Sequence, residues 1–157
     1  MPTRELIAPA DLGADLLTVV ARLNRMATQQ SALPLPYAQA RLLAQIEQQG
    51  PSRISELAAA DHCSQPTMTT QVQRLEAGGW VERRSDPSDA RAVLVSVTPA
   101  GTETLRRTRA VRAAVVVPHL ERLAPEQLGT LADAVDILRD LLHDVQHQNQ
   151  HQNQNQE

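Results

Sequence analysis

The chain has no phenylalanine and no lysine, and only one cysteine, one tryptophan and one tyrosine among its 157 residues. With Trp80 and Tyr37 as the only large aromatics, the core must be packed from Leu, Val and Ala; a hydrophobic share of 41% is enough to build one. A single thiol, Cys63, excludes an internal disulfide. No stretch reads as a signal peptide, and no apolar run is long enough to span a bilayer, so a cytoplasmic protein is expected. Equally missing are a glycine-rich phosphate loop, a Ser/His/Asp context and clustered metal ligands. The acids are scattered over helix surfaces, so an enzyme is not expected, and neither a cofactor nor a metal is called for.

All 15 basic residues are therefore Arg, which favours forked contacts to phosphate and guanine wherever one is well placed. The net charge of -3 speaks against a broadly basic nucleic-acid binder. Local clustering decides a DNA footprint, however, and bulk charge is a weak guide to it.

Residues 1–10 carry two prolines and little periodicity and read as an arm. From Asp11, Leu12, Leu16, Val19, Leu23 and Met26 or Ala27 recur at helical spacing. Leu33-Pro34-Leu35-Pro36 breaks the pattern. A second helix is expected from Tyr37 to about Gln48, with Leu42, Leu43 and Ile46 inward, ended by Gly50-Pro51. A short helix from Ile54 to about Asp61 follows, then a tight connection through His62 and Cys63. Ser64 is placed to cap the next helix, with Pro66 in its first turn. That helix points Met68, Val72 and Leu75 inward and stops at Gly78-Gly79.

There the period changes. Trp80 to Ser85 and Ala92 to Val97 alternate as strands, joined by the polar run Asp86 to Arg91, so a hairpin is predicted. Thr98-Pro99 opens a long helix reaching about Arg122, with Pro118 expected to kink it. Pro125 opens the last helix, with Leu128, Leu131, Ala132, Val135, Leu138 and Leu142 in a stripe. His147 to Glu157 repeat His, Gln and Asn and offer no apolar residue to offset ordering entropy, so this tail is expected to be disordered. The fold class is thus mainly α with a small β-hairpin, an α+β arrangement.

A short helix, a tight turn, a second helix and a hairpin make a helix-turn-helix followed by a wing. The major groove, about 12 Å wide, admits one helix. Small polar residues at the outer start of the second helix suit that role: Gln65, Pro66, Thr67, Thr69, Thr70 and Gln71, beginning at Ser64. Gln pairs bidentately with adenine, and Thr hydrogen-bonds or touches a thymine methyl. The bland alternative for these residues is solvated helix surface.

The chain resembles the MarR family of bacterial regulators. The resemblance runs along Leu57-Ala58, Ser64 to Thr69, Arg74 to Arg83, and Asp89 to Gly101. In the last run an Asp and an Arg two apart precede an alternating strand that ends in Thr98-x-x-Gly101. It implies a homodimer held by helices in 11–35 and 99–146, with 36–98 as a winged helix-turn-helix on double-stranded DNA. It also implies a regulator, expected to repress, on a pseudo-palindromic operator. The recognition helix would start near Ser64, and Arg91 would read the minor groove from the wing tip. Asp89 would orient Arg91 or a neighbouring arginine by a salt bridge. Many relatives carry an Arg early in the recognition helix where this chain has Gln65 and Thr70. Phosphate attraction must then lean on Arg53, Arg74, Arg83, Arg84 and Arg91, largely cancelled along the sequence by nearby acids. Of Arg83 and Arg84, only one can face DNA from an alternating strand.

The resemblance also implies a small aromatic or anionic effector, in a cleft walled by Tyr37, Arg41 and the first helix near Arg22 and Arg25. Two other readings remain open. One keeps the winged scaffold for protein interaction without reading DNA. The other senses oxidants through Cys63, whose thiol lies next to a helix N-terminus; small-residue packing is the simpler role. His147 and His151 lack the fixed geometry a metal site needs.

Overall fold

The computed structural model describes residues 8–154, without the side chains of Ala90 and of residues 146–154. The chain divides into two units, residues 1–115 and 116–157. The elements in order are α1 (Pro9–Gln29), α2 (Tyr37–Gln49), β1 (Ser52–Arg53), α3 (Ile54–Ala60), α4 (Gln65–Ala77), β2 (Val81–Asp86), β3 (Asp89–Val97), α5 (Pro99–Leu120) and α6 (Pro125–Gln154). The fold is mainly helical with a small antiparallel sheet, as the sequence implies.

The core of the first unit is aliphatic. Leu43, Ile46, Leu57, Met68, Val72, Leu75 and Val95 are buried together, joined by Leu105 from α5. Each inward position expected for α2 and α4 is filled as the helical period requires: Leu42, Leu43 and Ile46 on one, Met68, Val72 and Leu75 on the other. Complete burial of a Leu or Met side chain contributes about 1.5–3 kcal/mol. This cluster therefore fixes α4 against α2 and α3.

Two features of the sheet differ from expectation. It has three strands, ordered β1-β3-β2, because Ser52 and Arg53 pair with Val95 and Leu94. A two-residue strand has too few positions to show a period, so nothing in the sequence announces it. The hairpin is also tighter than the polar run suggests. Asp86 pairs with Asp89 across Pro87-Ser88, after an irregularity between Ser85 and Asp86. Arg91 consequently lies within β3, as its third residue, and not in a loop.

The connection from α3 to α4 turns at His62, whose φ is 50°. This left-handed residue lets the Cys63 amide donate to the Ala58 carbonyl at 3.0 Å, closing the helix end. At the start of α5, the Thr98 hydroxyl donates to the Gly79 carbonyl at 2.7 Å and accepts from the Gly101 amide at 3.0 Å. Gly101 is needed for contact: a Cβ there would sit 2.1 Å from the Trp80 carbonyl oxygen. The Thr-x-x-Gly run therefore docks α5 on the hairpin. Trp80 itself is half-buried against the core.

Pro118 lies inside α5 near its end. The backbone of α6 runs to Gln154, through residues expected to be disordered. Extending an existing helix costs far less than nucleating one, so the backbone can continue from α6 into this run. Residues 155–157 and most of the expected arm, 1–7, lie outside the described residues.

Candidate nucleic-acid interface

α4 begins at a built cap. The Ser64 Oγ accepts from the Thr67 amide at 3.3 Å and shares a 2.8 Å hydrogen bond with the Thr67 hydroxyl. Pro66 occupies the first turn, where its missing N–H costs nothing. With Met68, Val72 and Leu75 sealed inward, the opposite face is left to solvent. Gln65, Pro66, Thr67, Thr70 and Arg74 are exposed, and Thr69 and Gln71 are half-buried at its margins. The helix thus presents the polar residues singled out from the sequence along one face.

Two of the threonines are internally occupied. The Thr69 hydroxyl donates to the Gln65 carbonyl at 2.8 Å, and the Thr70 hydroxyl to the Pro66 carbonyl at 3.0 Å. Each oxygen keeps lone pairs to accept from a base amino group, and each methyl is free to meet a thymine methyl.

The arginines divide into engaged and open. Arg41 pairs with Asp61 at 2.5 Å, Arg83 with Glu76 at 3.0 Å and Arg84 with Glu82 at 2.5 Å. Arg53 pairs with Asp86 at 2.6 Å and lies 3.8 Å from Asp89. Among the described residues, Arg74 and Arg91 make no ion pair, and both are exposed. Arg84 faces outward and Arg83 is half-buried, so alternation along β2 turns one of the pair to solvent.

Asp89 does not pair with the Arg91 guanidinium. Its Oδ1 accepts from the Arg91 amide at 3.0 Å, while Oδ2 faces Arg53. It holds the backbone of Arg91 and leaves the side chain free. Asp86, absent from the expected site, is the most heavily bonded carboxylate of the wing. Oδ1 accepts from the Ser88 amide at 2.9 Å and hydroxyl at 2.6 Å, and Oδ2 accepts from Arg53 Nε at 3.1 Å and from one of its Nη atoms at 2.6 Å. These Ser88 and Arg53 donors hold its carboxyl at about 2, below the ordinary 3.8. The Asp-x-Ser spacing of a side-chain turn was the available signal.

Away from this face, a groove of about 330 Å³ is lined by Ala21, Asn24, Arg25, Thr28 and Gln29 of α1 and by Tyr37. The Asn24 amide donates to the Tyr37 hydroxyl at 3.0 Å, and the Arg112 guanidinium stacks 5.5 Å from the Tyr37 ring centre. Of the residues expected to wall an effector cleft, the groove gathers Tyr37 and Arg25 but neither Arg22 nor Arg41. Cys63 is half-buried and packs against the core, in keeping with the simpler role. Among the described residues, no group of three or more His, Cys, Asp or Glu is placed to hold a metal.

Comparison with known proteins agrees with this geometry. A model of the MarR family matches residues 35–93, the span from just before α2 into β3. An uncharacterized HTH-type transcriptional regulator of Mycobacterium leprae is 30% identical over 134 residues, covering 85% of this chain and 94% of that protein. Among solved structures, wild-type MarR of E. coli in its apo form is similar with a TM-score of 0.64 and 25% identity, over 84% of this chain and 98% of that one. A transcriptional regulator from Thermotoga maritima shares the fold with a TM-score of 0.70 at 24% identity, over 85% and 94%.

Proposed function

The chain belongs to the MarR family of winged-helix, DNA-binding transcriptional regulators, and from that premise we propose that it represses transcription as a homodimer on a pseudo-palindromic operator. The observation that carries this reading is the outer face of α4. Its capped, polar first turns are held to solvent by a fully buried inner face, with the unpaired Arg91 on the neighbouring hairpin.

In this reading Ser64 and Arg74 contact phosphates, while Gln65, Pro66, Thr67, Thr69, Thr70 and Gln71 face base edges. Arg91 enters the adjacent minor groove, Asp89 fixes its backbone, and Arg84 supplies a further phosphate contact from β2. Two copies would place their reading helices about 34–36 Å apart, one turn of duplex. Residues 11–35 and 99–146 are assigned to dimerisation. Such a regulator works in the cytoplasm. No described helix is long and apolar enough to cross a membrane.

Selecting bound duplexes from a random pool tests this and supplies the site. Enrichment of an inverted repeat is expected. Gln65→Ala or Thr69→Ala should then change base preference, and Arg91→Ala should weaken binding to all enriched sequences. Unchanged affinity and preference in all three variants would remove the assigned face.

The groove between α1 and Tyr37 favours release by a small effector. Its volume suits a drug-sized molecule, and Arg25 and the Tyr37 hydroxyl offer an anionic aromatic compound a charge and a hydrogen bond. Benzoate-type acids should raise the melting temperature of the wild type and not that of Arg25→Ala.

A further inference from the structure

Arg53 occupies an unusual place in the sheet. It ends β1 and immediately precedes α3, where its own amide donates to Glu56 Oε2 at 2.7 Å. β1 and β2 are the two strands that flank β3. Arg53 joins them directly, Nε and one Nη both donating to Asp86 Oδ2. The opposite oxygen of Asp86 ties down the hairpin turn through Ser88. Asp89 extends the chain of contacts, one oxygen towards Arg53 and the other on the Arg91 amide. A continuous polar path thus runs from the first helix of the helix-turn-helix, across the sheet, to the backbone of Arg91. Asp86 is only 8% exposed, so this is a sheltered contact, unlike the surface pairs of Arg84 or Arg106.

We propose that Arg53 and Asp86 form a latch that positions the wing, and with it Arg91, relative to α4 for DNA binding, Arg53 acting through Asp86 and not by touching phosphate. This rests on the reading of α4 and the wing as the DNA-binding face. It reassigns Arg53, which the sequence alone places among the phosphate contacts. β1 pairs with β3 only at Ser52–Val95 and Arg53–Leu94, so the hairpin beyond Leu94, where Arg91 lies, has no backbone tie to β1. The Arg53 side chain, reaching from β1 to Asp86 at the end of β2, supplies one, because β1 runs directly into α3. With all four of its donors in place, Asp86 stays ionised throughout the neutral range.

Two assignments of Arg53 predict opposite signs for one substitution. If Arg53 touches phosphate, Asp86→Asn removes a nearby negative charge, frees the guanidinium, and should tighten binding. If Arg53 is a latch, Asp86→Asn should weaken binding about tenfold, as should Arg53→Gln. The double variant should then be no weaker than either single one, since both remove the same contact. The probe is the duplex enriched from the random pool, with affinity measured by titration. Hydroxyl-radical protection of the flanking minor groove should be lost in both variants, while major-groove protection of guanine N7 is retained. Hydrogen exchange in the free proteins provides a readout that needs no DNA: the Ser88 and Arg91 amides should exchange faster in both variants, with α4 amides unchanged. Equal or tighter binding by Asp86→Asn overturns the proposal, as do wing amides that exchange at the wild-type rate. Should the wild type itself enrich no duplex, the DNA reading falls, and the exchange rates still decide whether the latch exists.

Discussion

Asp86 carries a turn, a strand end and an ion pair on one carboxylate, and its titration should report all three. The donors from Ser88 and Arg53 favour the charged form and hold its pKa at about 2 in the folded chain, against 3.8 for an ordinary aspartate. A carboxyl depressed by folding stabilises the fold fully above the unfolded value, and the contribution is lost as pH falls through the folded one. The stability difference between wild type and Asp86→Asn, followed by urea unfolding, should be constant from neutral pH to about 4 and shrink towards pH 2. A difference that instead collapses near pH 6 would point to a histidine. At Gly101 the controlling interaction is steric. A Cβ would meet the Trp80 carbonyl oxygen at 2.1 Å and Val97 Cγ1 at 2.8 Å, and backbone cannot swing aside as a long side chain can. Gly101→Ala should cost about 1–3 kcal/mol, the usual range for overpacking, seen as a fall of several degrees in melting temperature. By contrast nothing lies within 4 Å of a Cβ at Gly129, so Gly129→Ala serves as the control.

α4 shows how local signals and tertiary packing divide the work. Its start was legible because Ser64 and Pro66 stand at cap and first turn, and its inner face because Met68, Val72 and Leu75 keep helical spacing; α4 spans Gln65–Ala77 accordingly. Ser64→Ala should cost about 1 kcal/mol, as for other lost caps. Met68→Ala, at a fully buried position, should cost about 2–5 kcal/mol by leaving a cavity. Both are read from thermal melts, and a larger loss at Ser64 than at Met68 would mean that packing does not hold this helix. What the sequence did not disclose depends on residues distant along the chain. β1 exists only because Ser52 and Arg53 meet β3, and Arg53 finds Asp86 33 positions away. The same holds for Arg109 and Glu47, 62 apart. Charge alternation along the sequence showed that acids were near in number, but not which arginine each would engage. Arg91 and Arg74 were left open by that sorting.

Taken as a whole, one copy of the chain leaves much apolar surface uncovered. In α1, Leu12, Leu17, Val19, Val20 and Leu23 are exposed, Leu17 by 72%; in α6, Leu131, Ile137, Leu141, Leu142 and Val145 are exposed, Ile137 by 61%. Large exposed apolar patches on a protein surface mark interaction sites. The arginines give a second constraint. With Arg41, Arg53 and Arg83 each engaged by an acid and Arg84 shared with Glu82, few cations of the winged helix remain to displace counterions, so the salt dependence of DNA binding should be shallow. Each neutralised phosphate contributes a slope of about 0.9, and a slope near ten or above would contradict the sorting of charges described for the wing. A weakly attractive module gains most from being doubled, since a second linked half-site raises avidity by about 10²–10⁴ without any new contact. If the proposed homodimer is built on these faces, Leu17→Glu or Ile137→Glu should produce a folded monomer by sedimentation equilibrium, with operator affinity reduced by about a hundredfold while binding to an isolated half-site is unchanged. If these variants remained dimeric, the apolar faces would need another occupant. If they became monomeric yet kept full operator affinity, each wing and helix would be reading DNA alone, and the proposed pseudo-palindromic operator would have no cause.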